Sequence, residues 1–553
     1  MFAKGSCGIV LALSLVACGP AVTPLPRPTA SPLWLDDDRH PFAPAPSDDG
    51  TGLVWDGVDQ TLLRPATRFL AVDVAGEAAN VNAADEVPSS SWFTNRAGLF
   101  PLDPEELAAG PCTNPPLDVT APITIVQSKL DGASPGFVVR GTNGLRYMMK
   151  LDGPEQAPRP TAADVIASKI LYGAGFTTPC NRIVFFDRAV FRIDKKATAR
   201  TWTGGKEPFT NAHLDLALTY AARLEDGRYR ASVSEWLEGK PIGPWRYHGV
   251  RDDDPNDVVA HEDRRELRGL RLLAAWLGHS DARSRNTLDV WIPTGNGTGW
   301  IRHDLVDFSD CFGSAWEPPE MGRRFGHSYW FDVGDIAGDF VSLGAIARPW
   351  DRERLGCTGK VFGYYDVDSF DPERWVMEYP NPAFSRMTER DGAWMARIIA
   401  DFTDEHLRRV IRTGRLGAPA LESELLRVLT GRRDKILRRY LLARISALGL
   451  PLLSTHAHGD VAVCARDLAV VTGLVEPRAH TATISTRPGA TTHVRTEKNG
   501  QNVCVDLGRA EVALSPSIAI TTVGARSGPL VVRVAVDAAE RPILVRVERP
   551  YGP

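Results

Sequence analysis

The run HSDARSRN sets His279, Asp281 and Asn286 at short, fixed spacing directly after an apolar, helix-like stretch. Farther on, LVDFSDCFGS places Asp307 at the end of a strand-like run, and RYMMK ends on Lys150. Carboxylates and carboxamides are hard oxygen donors, the kind that Mg²⁺ takes while phosphates and water complete its octahedron. A polyphosphate carries several negative charges, so an acidic site can hold it only with a bridging metal and a cation such as Lys150 close by. The same residues also have plainer readings. Asp281 could cap backbone amides in a polar turn, and Asp307 could be a strand-terminal turn residue. Lys150 could be a solvated lysine at a strand end. Asp164 completes Thr161-Ala162-Ala163-Asp164, a capping-box-like pattern that needs no chemistry to explain it. Gly132 and Gly136, in SKLDGASPGF, could bring backbone amides to phosphates or simply serve a hairpin turn.

Patterning says which elements must position these groups. PITIVQSKL, GFVVRG and LRYMMKLDG alternate as strands, with Asn143-Gly144 as a hairpin turn. TAADVIASKILYGAGF reads as a helix capped by Thr161 and stopped near Gly173 and Gly175. Short strands follow at 182–186 and 229–239. A helix from about Glu262 to Leu277 puts Leu267, Leu270, Leu273, Trp276 and Leu277 on one face. TLDVWI and GWIRHDLVDF read as two strands joined by PTGNGT, and beyond Pro380 the pattern is helical. After Pro451 short β-type runs separated by Gly, Pro and Asn predict a small β-sandwich. EVPSSSWFTNRAG is too polar for a core strand, RDDDPND reads as a solvated loop, and GRRDKILRR as a helix face.

This order of elements, from Pro122 to Gly449, resembles the protein-kinase-like superfamily, especially its atypical, HipA-like and secretory-kinase-like branches. The region also resembles uncharacterised bacterial lipoproteins that share an EVP-S-SWFTNR-like segment. The kinase resemblance implies an α+β, bilobal fold with a β-rich N-lobe and a helical C-lobe. It implies that Asp281 serves the acceptor hydroxyl, that Asn286 and Asp307 hold Mg²⁺, and that His279 is structural. Lys150 would contact the phosphates of ATP or another nucleotide and pair with Asp164, and Gly132 and Gly136 would lie over those phosphates. Ser309 stands where the Asp-Phe-Gly motif has glycine. The activity implied is phosphoryl transfer to an exported protein or a small molecule. The alternatives are an inactive pseudokinase that binds a ligand or partner, and a surface adhesion or assembly protein acting through its β-domain.

The N-terminus bears on where this happens. Lys4 precedes a short apolar run, Ile9 to Val16, too short to span a bilayer, and Leu15-Val16-Ala17-Cys18 follows. That tetrapeptide resembles the bacterial lipobox, which implies cleavage before Cys18, its acylation, and a lipid membrane as partner. The alternative is a buried N-terminal strand. Gly19 after the cysteine implies the outer membrane, so the expected location is the bacterial cell envelope, with an envelope protein or small molecule as acceptor. A net charge of -4, from 64 basic and 68 acidic residues, gives no global attraction to nucleic acid. Cysteines can pair in an oxidising compartment, and Cys464 and Cys504 lie on two strand-like runs of the tail. No CxxC pair or Cys/His cluster in the sequence suggests a metal site. The expected organisation is a signal peptide over 1–17, a Pro-rich tether over 18–50, an N-terminal extension over 51–121, a kinase-like domain over 122–450, and a β-sandwich over 454–553.

Overall fold

The computed structural model describes residues 32–47, 76–129, 135–201, 205–315, 319–455, 460–485, 491–492, 495–496 and 500–553, with isolated residues 58, 59, 63 and 67. Cys18, the leader and most of the tether, and Gly132 lie outside the described residues. Among those described, the protein is mixed α/β, with several sheets and twelve helices.

A short helix, α1 (Pro104–Ala109), precedes three antiparallel strands: β1 (Ile123–Ser128), β2 (Gly136–Arg140) and β3 (Arg146–Leu151). The β2–β3 turn runs through Asn143-Gly144, where Gly144 takes φ +78°, a value that glycine adopts without strain. Helix α2 (Arg159–Ala174) follows. It begins before Thr161, which does not cap it. The Asp152 carboxylate accepts from the Thr161 amide (2.9 Å) and hydroxyl (2.6 Å), so an acid from the end of β3 does the work expected of Thr161. Gly175 ends α2 as expected, with φ +124°.

Strands β4 (Asn181–Phe186), β5 (Phe191–Arg200), β6 (Lys206–Pro208) and, after helix α3 (Asn211–Thr219), β7 (Tyr229–Glu235) complete a seven-stranded sheet of order β4-β7-β3-β2-β1-β5-β6. All its pairings are antiparallel except β1 with β5. One face buries Phe137, Val139, Met149, Phe186 and Val233. The disulfide Cys112–Cys180 ties the segment after α1 to the entry of β4.

Helix α4 (Arg265–Leu277) runs into Gly278, whose left-handed φ of +68° closes the helix through bonds to Ala274 and Ala275. That stop delivers His279 and the loop behind it. The strand pair β9 (Thr287–Gly295) and β10 (Thr298–Leu305) is closed at Asn296-Gly297, both at positive φ, and extended by β8 (Lys240–Pro241). Helices α5 (Pro319–Arg324), α6 (Val333–Ser342), α7 (Pro382–Ser385), α8 (Glu389–Ile399), α9 (Asp404–Thr413) and α10 (Pro419–Leu441) follow. Their core joins Ile166 of α2, Leu273 and Trp276 of α4, Trp394 of α8 and Leu429 and Leu437 of α10.

Beyond α10, two sheets share one core. The first, β11-β12-β16-β15, uses β11 (Leu452–Thr455), β12 (Val461–Arg466), β15 (Arg495–Thr496) and β16 (Asn502–Leu507). The second, β14-β13-β17-β18-β19, uses β13 (His480–Ser485), β14 (Thr491–Thr492), β17 (Ser517–Thr522), β18 (Leu530–Val536) and β19 (Pro542–Glu548). Val463, Val505, Ile484, Ile520 and Val532 meet between them, and Cys464 and Cys504, directly opposite on β12 and β16, are disulfide-bonded. Two small helices, α11 (Leu468–Val471) and α12 (Arg509–Ala513), connect strands here.

Three polar stretches are more buried than their composition suggests. EVPSSSWFTNRAG forms no strand, yet Val87, Ser90, Ser91, Trp92 and Phe93 are buried, because Asp38 accepts from the Ser91 amide and hydroxyl and Trp92 stacks on His303 at 3.5 Å. RDDDPND is not wholly solvated. Asp254 and Asp257 are buried, and Asp257 is held by His261 (2.7 Å) and Arg264 (3.1 Å). In GRRDKILRR, Arg432 is buried between Tyr365 and Phe370, its guanidinium 4.3 and 3.9 Å from their ring centres.

Candidate active site

Three elements converge on Lys150. β3 presents its ammonium, α2 presents Asp164, and the turn after β10 presents Asp307. Lys150 Nζ lies 3.3 Å from Asp164 Oδ1 and 2.9 Å from Asp307 Oδ1. Asp164 is fixed in turn by the Phe308 amide (3.1 Å) and the Ser232 hydroxyl (3.0 Å), so the carboxylate from α2 also anchors the Asp-Phe turn. A solvated strand-end lysine would make none of these contacts. Asp307 itself has φ +58°, the left-handed region that a short polar residue tolerates better than a bulky one. Ser309, in the place of glycine, donates its hydroxyl to Asp307 Oδ1 at 2.7 Å.

The second loop carries Asp281 and Asn286. The Asn286 amide nitrogen donates to the Asp281 carbonyl (2.8 Å) and carboxylate (3.0 Å), which leaves its amide oxygen as the end that can face a cation. The Val306 amide donates to the Asn286 carbonyl at 3.0 Å, so the two loops are joined one residue before Asp307. Asp310 makes a second joint. It accepts from the Asp281 amide (2.9 Å) and pairs with His279 Nδ1 (2.7 Å), while Arg159 of α2 donates to the Ser309 and Cys311 carbonyls at 2.7 and 3.0 Å. His279, Asp310 and Cys311 thereby come together with ligand atoms within 4.8 Å of one another, a cluster the sequence spacing did not suggest. Its imidazole and carboxylate already bond each other, and the trio acts as a clamp between loops.

Electrostatics divide the two aspartates. Burial alone would raise the Asp307 carboxyl, but the Lys150 and Lys129 charges and the Lys150 hydrogen bond outweigh it and hold it well below the usual carboxylate range. For Lys150 burial again opposes the charged form, and Asp164 and Asp307 overcome it, raising the ammonium above its ordinary value. Asp281 goes the other way. Burial, then the Glu378 carboxylate, push it up to about 8 against the pull of Arg283, whose Nε sits 2.5 Å from Asp281 Oδ1. One acid is thus locked as an anion, while the other is poised to exchange a proton near neutral pH.

Of the residues singled out from sequence, Lys150, Asp164 and Asp307 meet directly, and Asp281 and Asn286 meet on the adjoining loop. Gly136 is placed otherwise. It lies in the β2–β3 ladder opposite Lys150, where a Cβ would come within 2.3 Å of the Met149 carbonyl oxygen, so close strand packing accounts for it. Sequence reasoning missed Asp310, Arg159, Glu378 and Arg283. Of these, Arg283, inside HSDARSRN, and Asp310, three positions after Asp307, had a local signal.

No protein-family model matches the chain, and no curated protein matches it. Solved structures that align with it include the Golgi casein kinase, at 12% identity and TM-score 0.22 over 54% of this chain and 75% of that one. The Golgi casein kinase with Mn/ADP bound aligns at 13% identity and TM-score 0.23 with the same coverage, and hydra Fam20 with sugar at 10% identity and TM-score 0.22 over 55% of this chain and 96% of its own.

Proposed function

We propose that this protein is a Mg²⁺- and nucleotide-dependent phosphotransferase of bilobal, kinase-like architecture, acting on an exported protein or small molecule, with a β-sandwich behind it. The observation that carries the reading is the convergence of Lys150, Asp164 and Asp307 from a strand, a helix and a post-strand turn, joined through Val306 to the loop of Asp281 and Asn286. The donor set suits the group: one fully charged carboxylate, one amide oxygen and a buried ammonium, all hard partners for metal and phosphate. Asp307 and Asn286 would hold the metal, whose positive charge would offset that of the nucleotide phosphates. Lys150 orients and neutralises phosphate oxygens, and Asp164 keeps Lys150 extended from its strand. Asp281 orients the acceptor hydroxyl and takes its proton, which its raised pKa favours. The lipobox-like motif at Cys18 supports an envelope location, with the tether as spacer.

The test is titration calorimetry with Mg²⁺ and several nucleotides, followed by transfer assays on envelope fractions. Asp307→Asn should abolish metal-dependent nucleotide binding, and Asp281→Asn should spare binding while cutting transfer. Binding without transfer in the parent protein would leave a pseudokinase. No nucleotide binding at millimolar Mg²⁺ would end the reading.

A further inference from the structure

Between the Asp307 turn and Glu378, residues 331–346 carry an exposed apolar strip built around α6, a helix that is inside-out. Its half-buried line is Asp335, Gly338 and Ser342, spaced as one helix face. Asp335 accepts from the Ser328 hydroxyl (2.6 Å) and from Arg348 Nη1 (2.7 Å), and Asp339 accepts from Arg348 Nη2 at 2.6 Å. Both acids within the helix therefore pair with one arginine. Gly338 gives that guanidinium room, since a Cβ there would lie 3.1 Å from Nη2. The apolar side points the other way. Ile336, Phe340 and Leu343 recur at i, i+4 and i+7 and are 52, 80 and 92% exposed, with Val341 beside them at 82%. Phe331 and Ile346 extend the strip at either end, half-exposed. An ordinary surface helix turns its apolar stripe inward. Single exposed apolar residues are common, but a contiguous strip rimmed by polar groups marks a contact surface.

We propose that this strip docks on the surface of a lipid bilayer, with Ile336, Phe340 and Leu343 entering the boundary between head groups and acyl chains. The choice of a bilayer rests on the Cys18 anchor proposed above. From Cys18 to the first described residue lie 14 positions, 18–31, which fully extended span at most about 50 Å. A chain acylated at Cys18 thus keeps its folded body beside lipid, where an outward apolar strip meets acyl chains before it meets anything else. The geometry of α6 suits a helix that lies on a membrane. It is ten residues long, and among the described residues no helix is long and apolar enough to cross one. The pairing of Asp335 and Asp339 with Arg348 also lessens their repulsion from anionic head groups. The strip is tied to the proposed catalytic loop. Trp330 donates its amide to the Glu378 carbonyl (2.8 Å), and the Glu378 amide donates to the Ser280 carbonyl (3.0 Å). A docked α6 would therefore hold the loop of Asp281 near the bilayer surface.

The experiment is hydrogen exchange of the full chain carrying Cys18→Ser, read by mass spectrometry with and without vesicles of phosphatidylethanolamine containing a minor share of phosphatidylglycerol. Exchange reads the helix itself, whatever brings the chain to lipid. On vesicles the amides of 331–346 should exchange at least about fivefold more slowly. The protection should persist at about 0.5 M salt, because apolar burial is not screened. Adding Phe340→Glu and Leu343→Glu together should abolish it. Both side chains are at least 80% exposed, so the core keeps its packing, and parent-like exchange outside 331–346 checks that it does. Unchanged exchange over 331–346 at saturating vesicles, or equal protection in the double variant, would overturn the proposal. So would protection that appears without lipid as protein concentration rises, which would assign the strip to a second copy of the chain. The anchor is tested apart, by fractionation of the parent and the Cys18→Ser protein, so either reading can fail without the other.

Discussion

Replacing Lys150 by Met tests the centre of the cleft without any ligand. The ammonium sits between Asp164, whose side chain is 1% exposed, and Asp307, at 3.3 and 2.9 Å. At an effective dielectric of about 20, each contact is worth roughly 5 kcal/mol of Coulomb attraction, most of it offset by the desolvation of the three groups. Methionine keeps the volume and removes the charge, leaving the two acids without the ammonium that sits between them. Removing one partner of a buried pair costs about 3–5 kcal/mol, or about two to four orders of magnitude in the unfolding equilibrium. The sign of the pH dependence is fixed by the two shifts. Asp307 is held below its ordinary 3.8, so its contribution is present above that value and lost as pH falls through the lower, folded one. Lys150 is held above its ordinary 10.5, so its contribution is complete below that value and lost only in strong alkali. The gap between parent and variant should therefore be fully open at pH 7 and should close as pH falls below about 4. Urea unfolding followed by tryptophan fluorescence, at a series of pH values, measures it. A loss under about 1 kcal/mol, equal at pH 7 and pH 3, would mean that Lys150 is a solvated strand-end residue after all.

The remaining predictions concern the base, the tail and the anchor. Because Asp281 is raised to about 8, transfer should climb with pH through that value as the carboxyl ionises, and Glu378→Gln should move the limb downward by removing a neighbouring negative charge; a limb that stays in place in the variant would separate Glu378 from the base. Reducing Cys464–Cys504, or replacing both cysteines by alanine, should destabilise the two-sheet unit by about 2–4 kcal/mol, and non-reducing peptide mapping should recover the linked pair. Cys18→Ser should release the protein from membrane fractions or block its processing, as read by fractionation and intact mass.

What was legible in the sequence was local. HSDARSRN, the strand ending in Lys150 and the Asp-Phe turn are contiguous patterns, and hydrophobic periodicity places them on the right elements because α4 and β10 carry unbroken apolar faces. The strand FRIDKKATAR and the helix NAHLDLALT, β5 and α3, escaped because the first has its alternation broken by Asp194, Lys195 and Lys196 and the second is short. The groups that tune the site were illegible for another reason. Glu378 raises Asp281 from far along the chain, and Arg159 reaches the Ser309 and Cys311 carbonyls from the first turn of α2, contacts that only the tertiary fold brings about. Composition misled most where polar atoms are paired inside. Ser90, Ser91 and Trp92 look like surface until Asp38 and His303 meet them, and Arg397 sits in RDGAWMARIIADF as one more residue of an amphipathic helix. Its burial and its bond to Glu86 exist only in the folded protein. A buried charge held by a partner 311 positions away is therefore information that folding creates, and no run of residues carries it.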